Sequence, residues 1–435
     1  MMQYVSTRNT AHLVGLDEAI TAGLAPDGGL YVPTYFPKKT LNNAGTTLAD
    51  TAIQILQAFF SGSSLAAELD AICHQAFNFP LISRQLSNPH HQIIELFHGP
   101  TAAFKDFGAR FLSACMRYLT VKQSNDCTIL VATSGDTGAA VAAAFHRQPG
   151  IRVVILYPQG RVSARQEHQL GCFGDNVTAL QVQGSFDDCQ SMVKSALGNA
   201  ELQKVVRLSS ANSISLGRLL PQMCYYAHSC LRHYHKHNQT LNYIIPTGNL
   251  GNALAAMWLR KMGYPIGKIL LATNANKVLS DYMQSGVYQP RASTHTIANA
   301  MDVGAPSNFE RFQMLFPSHT DAISAQTYSD WVDDKTIQKT IADWYLSEGV
   351  LLCPHTATAA ALLTDACNKG GAQGHWAIMA TAHSAKFPEI VEPIIDHAVS
   401  NPESLEILLQ RPSHADVLPA SQDALHTWLR ATSPK

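Results

Sequence analysis

The chain has 435 residues, of which 46% are hydrophobic and only 14% are charged, and its formal net charge is −1. Globular proteins usually carry about 25% charged residues, so this composition predicts large buried cores spread over two or three domains. The basic residues are scattered, which argues against a nucleic-acid partner and against binding to an anionic membrane. We therefore expect the ligands to be small molecules.

Targeting signals and cysteine usage point to a cytoplasmic protein. Residues 1–8 lack a basic stretch followed by an apolar core, and no run of about 18 apolar residues occurs, so neither a signal peptide nor a membrane span is predicted. The nine cysteines form no Cys-x-x-Cys pair, which argues against a disulfide framework. We expect reduced, buried thiols.

The first segment with distinct chemical character surrounds Lys105, in the run HGPTAAFKDFGAR over residues 98–110. Apolar neighbours such as Phe104 and Phe107 would desolvate the amine and lower its pKa from about 10.4, because burial disfavours the charged form. A neutral lysine amine attacks carbonyl carbons, so Lys105 is a candidate for Schiff-base chemistry with a carbonyl cofactor. The alternative is a helical surface lysine whose charge stays in water.

Short apolar segments that alternate with helical patterns predict an α/β fold with parallel strands. The candidate strands are residues 127–132, 153–157, 241–245, 269–273 and 376–380. Polar loops follow three of these strands, at residues 133–138, 248–252 and 381–384. In such sheets ligands bind at the carboxyl ends of the strands, so these loops are the predicted site.

The loop 248–252 is the predicted phosphate site. Its glycines permit close approach of the backbone, and the free N–H groups at the start of the next helix favour an anion. Nucleotide motifs fit poorly, because Gly-x-Gly-x-x-Gly is absent and the segment 263–268 is one residue short of a P-loop. We expect the phosphate of a non-nucleotide cofactor. A tight turn without a ligand is the alternative.

The histidine-rich run His233, His235 and His237 is interpreted as a surface feature, and no metal site is predicted. Alternate residues share a face only on a strand, whereas residues 216–232 predict a helix with the histidines at its polar exit. The pair at positions 90–91 is expected in a solvated turn.

Motifs spread over nearly the full chain resemble those of one enzyme family. They are YVSTR (4–8), DGGLYVP (27–33), ELFHGPT (95–101), FKDF (104–107), ATSGDTG (132–138), SANSI (210–214), PTGNLG (246–251), NAMDV (299–303) and TAH (381–383). In this order they resemble the threonine synthases, pyridoxal-phosphate enzymes of fold type II, the tryptophan-synthase-β-like fold. The resemblance implies two α/β subdomains around a cofactor cleft and an amino-terminal domain.

The resemblance also implies domain boundaries. Residues 1–95 would form the amino-terminal domain of the longer, bacterial and fungal type, and residues 96–435 would form the catalytic region. Within that region the small subdomain would span roughly residues 110–225, and the large subdomain would comprise the remainder. A monomer or a homodimer is expected.

The resemblance assigns pyridoxal 5'-phosphate as the cofactor and Lys105 as its covalent anchor. Asp136 would approach the ring hydroxyl, and Thr381 would contact the pyridine nitrogen. The residues expected to cradle the cofactor phosphate are Gly248, Asn249, Leu250, Gly251 and Asn252. Read without the family, Thr381 would be a hydroxyl that satisfies its own strand end.

By the same resemblance the substrate is O-phospho-L-homoserine, which reacts with water to give L-threonine and phosphate. The residues expected to bind it are Ser134, Thr137, Asn212, Ser213 and Arg218. A planar guanidinium suits bidentate phosphate recognition, but Arg218 taken alone could be an exposed helical arginine. Ser134 and Thr137 could instead cap a helix.

Two other functions stay open at this point. A serine or threonine dehydratase of the same fold would use the same cofactor residues and bind no substrate phosphate. A non-catalytic relative that binds phosphorylated ligands would have no use for a carbonyl-trapping amine, so Lys105 argues against it. Leu250, Asn252, Ala380 and Ser384 depart from the residues more usual in the family, which bears on substrate preference.

Overall fold

Two parallel sheets flanked by helices form the frame of the protein in the computed structural model, which describes residues 1–39, 42–123 and 126–432. The strands are β1 (Tyr4–Ser6), β2 (Tyr31–Pro33), β3 (Ile82–Gln85), β4 (His91–Glu95), β5 (Cys127–Ala132), β6 (Ile151–Pro158), β7 (Val177–Gln183), β8 (Leu208–Ser210), β9 (Leu241–Pro246), β10 (Ile266–Thr273), β11 (Thr327–Trp331), β12 (His375–Ala380) and β13 (Asp416–Pro419). The helices are α1 (Leu16–Ala22), α2 (Leu48–Leu56), α3 (Leu69–Ala76), α4 (Lys105–Gln123), α5 (Asp136–Phe145), α6 (Ala164–Gly171), α7 (Phe186–Gly198), α8 (Ala200–Gln203), α9 (Leu216–Leu219), α10 (Gln222–His237), α11 (Gly251–Lys261), α12 (Val278–Ser285), α13 (Phe309–Leu315), α14 (His319–Ser324), α15 (Asp334–Glu348), α16 (Pro354–Asn368), α17 (Pro388–Ile395), α18 (Glu403–Leu409) and α19 (Gln422–Thr432).

The larger sheet has six strands in the order β11-β10-β9-β12-β4-β3. Its neighbours pair in parallel except for the edge pair β3–β4, which is antiparallel. Every residue of β9 and β12 is buried, as expected for central strands that helices cover on both faces. The predicted strands of this sheet are therefore confirmed, with slightly extended ends.

The smaller sheet has five parallel strands in the order β13-β7-β6-β5-β8. Its last strand, β13, comes from the end of the chain, and α19 packs beside it on α7. We therefore propose that the small subdomain includes this segment, which the predicted span of residues 110–225 leaves out. This strand has only four residues, begins with a charged residue and ends with proline. Such a short pattern does not predict which strand it will pair with.

An amino-terminal layer of α1, α2, α3 and the β1–β2 ribbon packs against α4. Phe60 of this layer meets Phe111 of α4 edge to face, with 5.9 Å between ring centroids. Because β3 and β4 belong to the six-stranded sheet, the domain division that we propose falls before Ile82 and not at the predicted residue 95.

The helix predicted over residues 216–232 is interrupted in its middle and extends beyond its predicted end. Pro221 lacks the N–H that a continuous helix needs, so the segment divides into α9 and α10. Helix α10 then runs through the histidine-rich segment and ends at Asn238, whose φ of 52° is left-handed. In the neighbouring pair, His91 is buried in β4, which contradicts the expected solvated turn, while His90 is exposed.

Most of the cysteines lie in the interior. All nine cysteines carry free thiols, and all except Cys367 are buried. Among the described helices, none combines the length and apolar character that crossing a membrane requires.

Candidate active site

One pocket lies between the two sheets, where the loops after β5, β9 and β12 meet the first turn of α4. Every site residue predicted from the sequence lines it, including Lys105, Asp136, Arg218 and Thr381 together with the loop from Gly248 to Asn252. The strands of both sheets thus direct their carboxyl ends to one place, as the parallel topology requires.

Lys105 is the first residue of α4, and its amine is directed into the pocket. Burial lowers the pKa of this amine, Asp136 opposes the effect, and the nearby Arg218 and Lys386 add to it, so that the pKa is about 8. Roughly a tenth of the amine is therefore neutral at pH 7. The alternative of a lysine extended into bulk water is excluded by this placement.

Backbone pairing aligns the lysine with the end of β12. The Phe104 N–H donates to the Thr381 carbonyl at 2.8 Å, and the His383 N–H donates to the Ala102 carbonyl at 3.0 Å. These bonds hold the start of α4 in register with Thr381, so the amine and the Thr381 hydroxyl occupy neighbouring walls of the pocket.

The loop after β9 is a backbone cradle for an anion. Helix α11 begins with no side-chain cap, and Leu250 at its N-cap has a left-handed φ of 65°. No N–H from Gly248 to Asn252 is paired within the part of the chain that the structure describes. Gly248 stands in a tight space, because a Cβ there would lie 3.1 Å from the Met301 Cα. Free N–H groups at a helix start fit a phosphate.

Asn252 adds an amide donor to this cradle. Its Oδ1 accepts from the hydroxyls of Tyr225 and Tyr226 at 2.5 and 2.8 Å. Its Nδ2 is buried and has no partner among the described residues. Two tyrosines thus fix the amide with its donor side free, and a phosphate oxygen would satisfy that donor.

Asp136, at the start of α5, forms an ion pair with Lys386, a residue that was not predicted from the sequence. Lys386 is fully buried, and its Nζ lies 2.9 Å from Asp136 Oδ1 and 2.8 Å from the Thr101 carbonyl oxygen. Burial alone would raise the pKa of the Asp136 carboxyl, but Lys386, then Lys105 and His355, hold it well below its usual range. The carboxylate stays ionised, and Lys386 joins the segment before α4 to the start of α5.

The first glycine loop is organised by Thr133. Its Oγ1 accepts from the N–H groups of Gly135 and Gly138 at 3.0 and 2.9 Å. Helix α5 has Gly135 at its N-cap and no side-chain cap. Ser134 and Thr137 therefore do not cap this helix, and both line the pocket.

Arg218 is a buried cation in the pocket wall. Only 3% of the residue is exposed, which excludes the alternative of a surface arginine. Burial lowers the pKa of the guanidinium to about 10, so it remains charged at neutral pH. Nη1 donates to the Ala211 carbonyl, whereas Nε is buried without a partner in the described chain. A Cβ on Gly108 would lie 2.8 Å from Nε, so this glycine admits the side chain.

Asn212 hydrogen-bonds to the end of β5, directly before the loop of residues 133–138. Its Nδ2 donates to the Ala132 carbonyl at 2.5 Å, and its Oδ1 accepts from the Ala132 N–H at 3.1 Å. The amide is thus engaged with the end of β5 at both of its polar atoms. Ser213 beside it is partly exposed to the pocket.

His355, at the start of α16, is a second residue that sequence reasoning missed. Its Nε2 accepts the Ala300 N–H at 3.0 Å, so the neutral ring carries its proton on Nδ1. Burial lowers the pKa of His355 to about 4, and Nδ1 has no partner within the described ranges. Both His355 and Lys386 lie in runs of small and apolar residues, the same signal that revealed Lys105.

Comparison with known proteins agrees with this geometry. A buried lysine, an anion cradle and an ionised aspartate between two α/β units define a pyridoxal-phosphate dependent enzyme, and residues 93–382 match the family of that description. Residues 3–77 match the threonine synthase N terminus, and residues 356–428 match the threonine synthase C-terminal family. The chain belongs to the threonine synthase family, and its architecture is fold type II.

Individual relatives extend over the whole chain. A threonine synthase of Haemophilus influenzae is 36% identical, with 98% of this chain and 99% of that protein covered. The crystal structure of threonine synthase from Escherichia coli superimposes with a TM-score of 0.92 at 33% identity, and each chain is covered completely. A structure described as PLP-bound threonine synthase from Brucella melitensis gives a TM-score of 0.89 at 32% identity, again over both full chains.

Proposed function

We propose that this protein is a pyridoxal-phosphate dependent threonine synthase, which converts O-phospho-L-homoserine and water to L-threonine and phosphate. The observation that carries the proposal is the presence of two anion sites in one pocket. The loop Gly248–Asn252 offers unpaired N–H groups, and Arg218 offers a separate buried cation with a free Nε. One site suits a cofactor phosphate and the other a substrate phosphate, whereas a dehydratase requires only the first.

The residues of the pocket fit the cofactor. Lys105 would hold it covalently, the cradle after β9 would bind its phosphate, and Asn252 would donate its free amide N–H to the same group. When bound, pyridoxal phosphate withdraws electrons from the substrate Cα. The chain's own groups then have to move protons, fix the substrate and exclude water until the step in which it is added.

Lys105 is the proposed base. Its Nζ is partly neutral near neutral pH because burial lowers its pKa to about 8. A neutral amine in the pocket accepts the Cα proton, and the resulting ammonium returns a proton to a neighbouring carbon at a later step. Asp136, kept ionised by Lys386, provides a fixed acceptor for the ring hydroxyl.

Thr381 is the proposed partner of the pyridine nitrogen. A neutral hydroxyl does not hold this nitrogen protonated as a carboxylate would, so the ring absorbs less of the charge at Cα. His355 lines the same pocket with an unpaired Nδ1–H, which supplies a neutral donor. The two groups stabilise negative charge without adding a formal positive charge.

Arg218 is the proposed clamp for the departing phosphate. Its charge, buried among the strand ends, faces a dianion in a region of low effective dielectric. Ser134, Thr137 and Ser213 line the same pocket and offer hydroxyl donors. Asn212 is proposed to act through Ala132, as a positioning residue for the loop that carries Ser134.

The decisive test is product stoichiometry. Full-length protein loaded with pyridoxal phosphate is incubated with O-phospho-L-homoserine, and threonine and inorganic phosphate are measured together. Equal amounts of the two products are expected. Turnover of threonine or serine to a 2-oxo acid, with no phosphate released from O-phospho-L-homoserine, would instead show a dehydratase. The monomeric or homodimeric state and the cytoplasmic location remain predictions.

A further inference from the structure

Three imidazoles from distant parts of the chain meet at the amino end of β12. His233 and His237 are one turn apart on α10 and therefore share a face, and His375 is the first residue of β12. The ring centroids of the three lie 4.6 to 4.7 Å apart in each pair. No metal site was predicted here because the helix was expected to end at residue 232, before the histidines. The helix instead continues through them, which places His233 and His237 on one face.

The geometry of the cluster suits one ion. Each ring offers a nitrogen, and these nitrogens all lie within 4.8 Å of one another. On a tetrahedral zinc ion with Zn–N bonds of about 2.0 to 2.1 Å, two ligand nitrogens are roughly 3.4 Å apart. Binding an ion would therefore require the three side chains to draw closer together than they stand here.

A second observation points independently to a ligand. Residue His233 is only 8% exposed, and its Nε2 is buried with no hydrogen-bond partner in the ranges the structure describes. A buried polar atom left unpaired is unfavourable, because it has lost its hydrogen bonds to water. The neighbouring rings offer no carbonyl or carboxylate to this nitrogen, and coordination would satisfy it.

The chemistry of the donors indicates which ions fit. Each of the three imidazoles can coordinate a metal through the lone pair of a ring nitrogen. A set of imidazoles without carboxylates selects zinc, copper or nickel over magnesium or calcium.

We propose that His233, His237 and His375 bind one divalent transition-metal ion of the zinc type. His90 lies beside the cluster, with its Nδ1 3.4 Å from His375 Nε2. The ion would join the last turn of α10 to the central strand of the six-stranded sheet, which is a structural role.

The site is separate from the cofactor pocket. His375 opens β12 and Thr381 follows its last residue, so six strand residues at about 3.3 Å each place the two sites roughly 20 Å apart. Binding of the ion is therefore expected to raise thermal stability and to leave threonine formation unchanged.

The test uses full-length holoenzyme freed of metal by a chelator and then titrated with Zn²⁺ by calorimetry and with Co²⁺ by visible absorption. We expect one ion per chain, an increase in Tm and a cobalt spectrum typical of tetrahedral coordination. His375→Ala should weaken zinc binding by about 100-fold or more, because even loss of an outer partner costs 10- to 100-fold. His237→Gln, at a partly exposed position, gives the same test with less risk to folding.

The matched control is His235→Ala, which removes an exposed histidine from the same helix outside the cluster. It should bind zinc as the parent does. Failure of the parent protein to bind Zn²⁺ or Co²⁺ would overturn the proposal. Equal affinities for the parent, His375→Ala and His237→Gln would also overturn it, because binding would then arise from other surface groups.

Discussion

The carboxyl end and the amino end of the six-stranded sheet both gather buried nitrogen atoms, but they do so by different means. At the carboxyl end, contiguous loops present backbone N–H groups and a few charged side chains to one pocket. At the amino end, His233, His237 and His375 come together only because α10 packs beside β12. A site formed by contiguous loops can be predicted from short sequence motifs. A site formed by side chains of packed, distant elements cannot be predicted in this way.

Replacement of the pocket lysine should give the largest effect. In Lys105→Ala, threonine formation should fall by about 100- to 10,000-fold, the range typical of a lost acid–base group. The visible absorption of the bound cofactor and the borohydride-reducible link to the chain should disappear. Zinc binding at the other end of the sheet should be unchanged, and a parallel loss of both would show that the two ends are not independent.

Loss of the buried cation beside Asp136 should mainly affect stability. Lys386→Met leaves a buried carboxylate without its closest partner, and removing one member of a buried ion pair costs about 3 to 5 kcal/mol. The free energy of unfolding, measured in urea, should fall by that amount at pH 7.

The pH dependence of this loss follows from Asp136. Its pKa in the folded protein is depressed, so its stabilising contribution is present above its ordinary value of about 3.9 and is lost as the pH falls below it. The difference between Lys386→Met and the parent should therefore shrink in acid. Lys386→Met/Asp136→Asn should recover part of the stability, and no recovery would argue against a direct ion pair.

Arg218→Ala separates the two anion sites of the pocket. Truncating one partner of a buried charge pair costs about 2 to 5 kcal/mol, so kcat/KM for O-phospho-L-homoserine should fall roughly 30-fold or more. Cofactor affinity should change little, because the cradle after β9 is separate. Arg430→Ala, an exposed arginine of α19, is the matched control. Unchanged kinetics for Arg218→Ala would remove this residue from substrate binding.

The smallest predicted effect concerns the backbone of the cradle. In Gly248→Ala the new Cβ lies 3.1 Å from the Met301 Cα, and such overpacking costs about 1 to 3 kcal/mol. Absorbance titration should show cofactor affinity reduced by about ten-fold, because 1.4 kcal/mol corresponds to a factor of ten. Gly251→Ala is the control, since its Cβ would meet nothing closer than 3.6 Å. Equal behaviour of the two variants would show that the close approach at Gly248 is unimportant.

The features that could be predicted from the sequence are those that depend on residues close to one another in the chain. Apolar runs followed by glycine loops located the strands and their loops, because parallel strands are buried on both faces and bind ligands at their carboxyl ends. The apolar surroundings of Lys105 made it a candidate, and the ordered motifs indicated the family. Each single motif lies within ten or so residues, and only the order of the motifs extends along the chain.

The tertiary structure alone decided which distant residues meet. It joined Lys386 to Asp136, turned His355 toward the pocket, placed β13 in the smaller sheet and brought His375 to α10. The domain division that we propose before Ile82 has the same origin, because β4 pairs with the distant strand β12 and β3 pairs with β4. The free energy of such contacts depends on how elements far apart in the chain pack together. The residues next to each element in the sequence do not show which distant element it will contact.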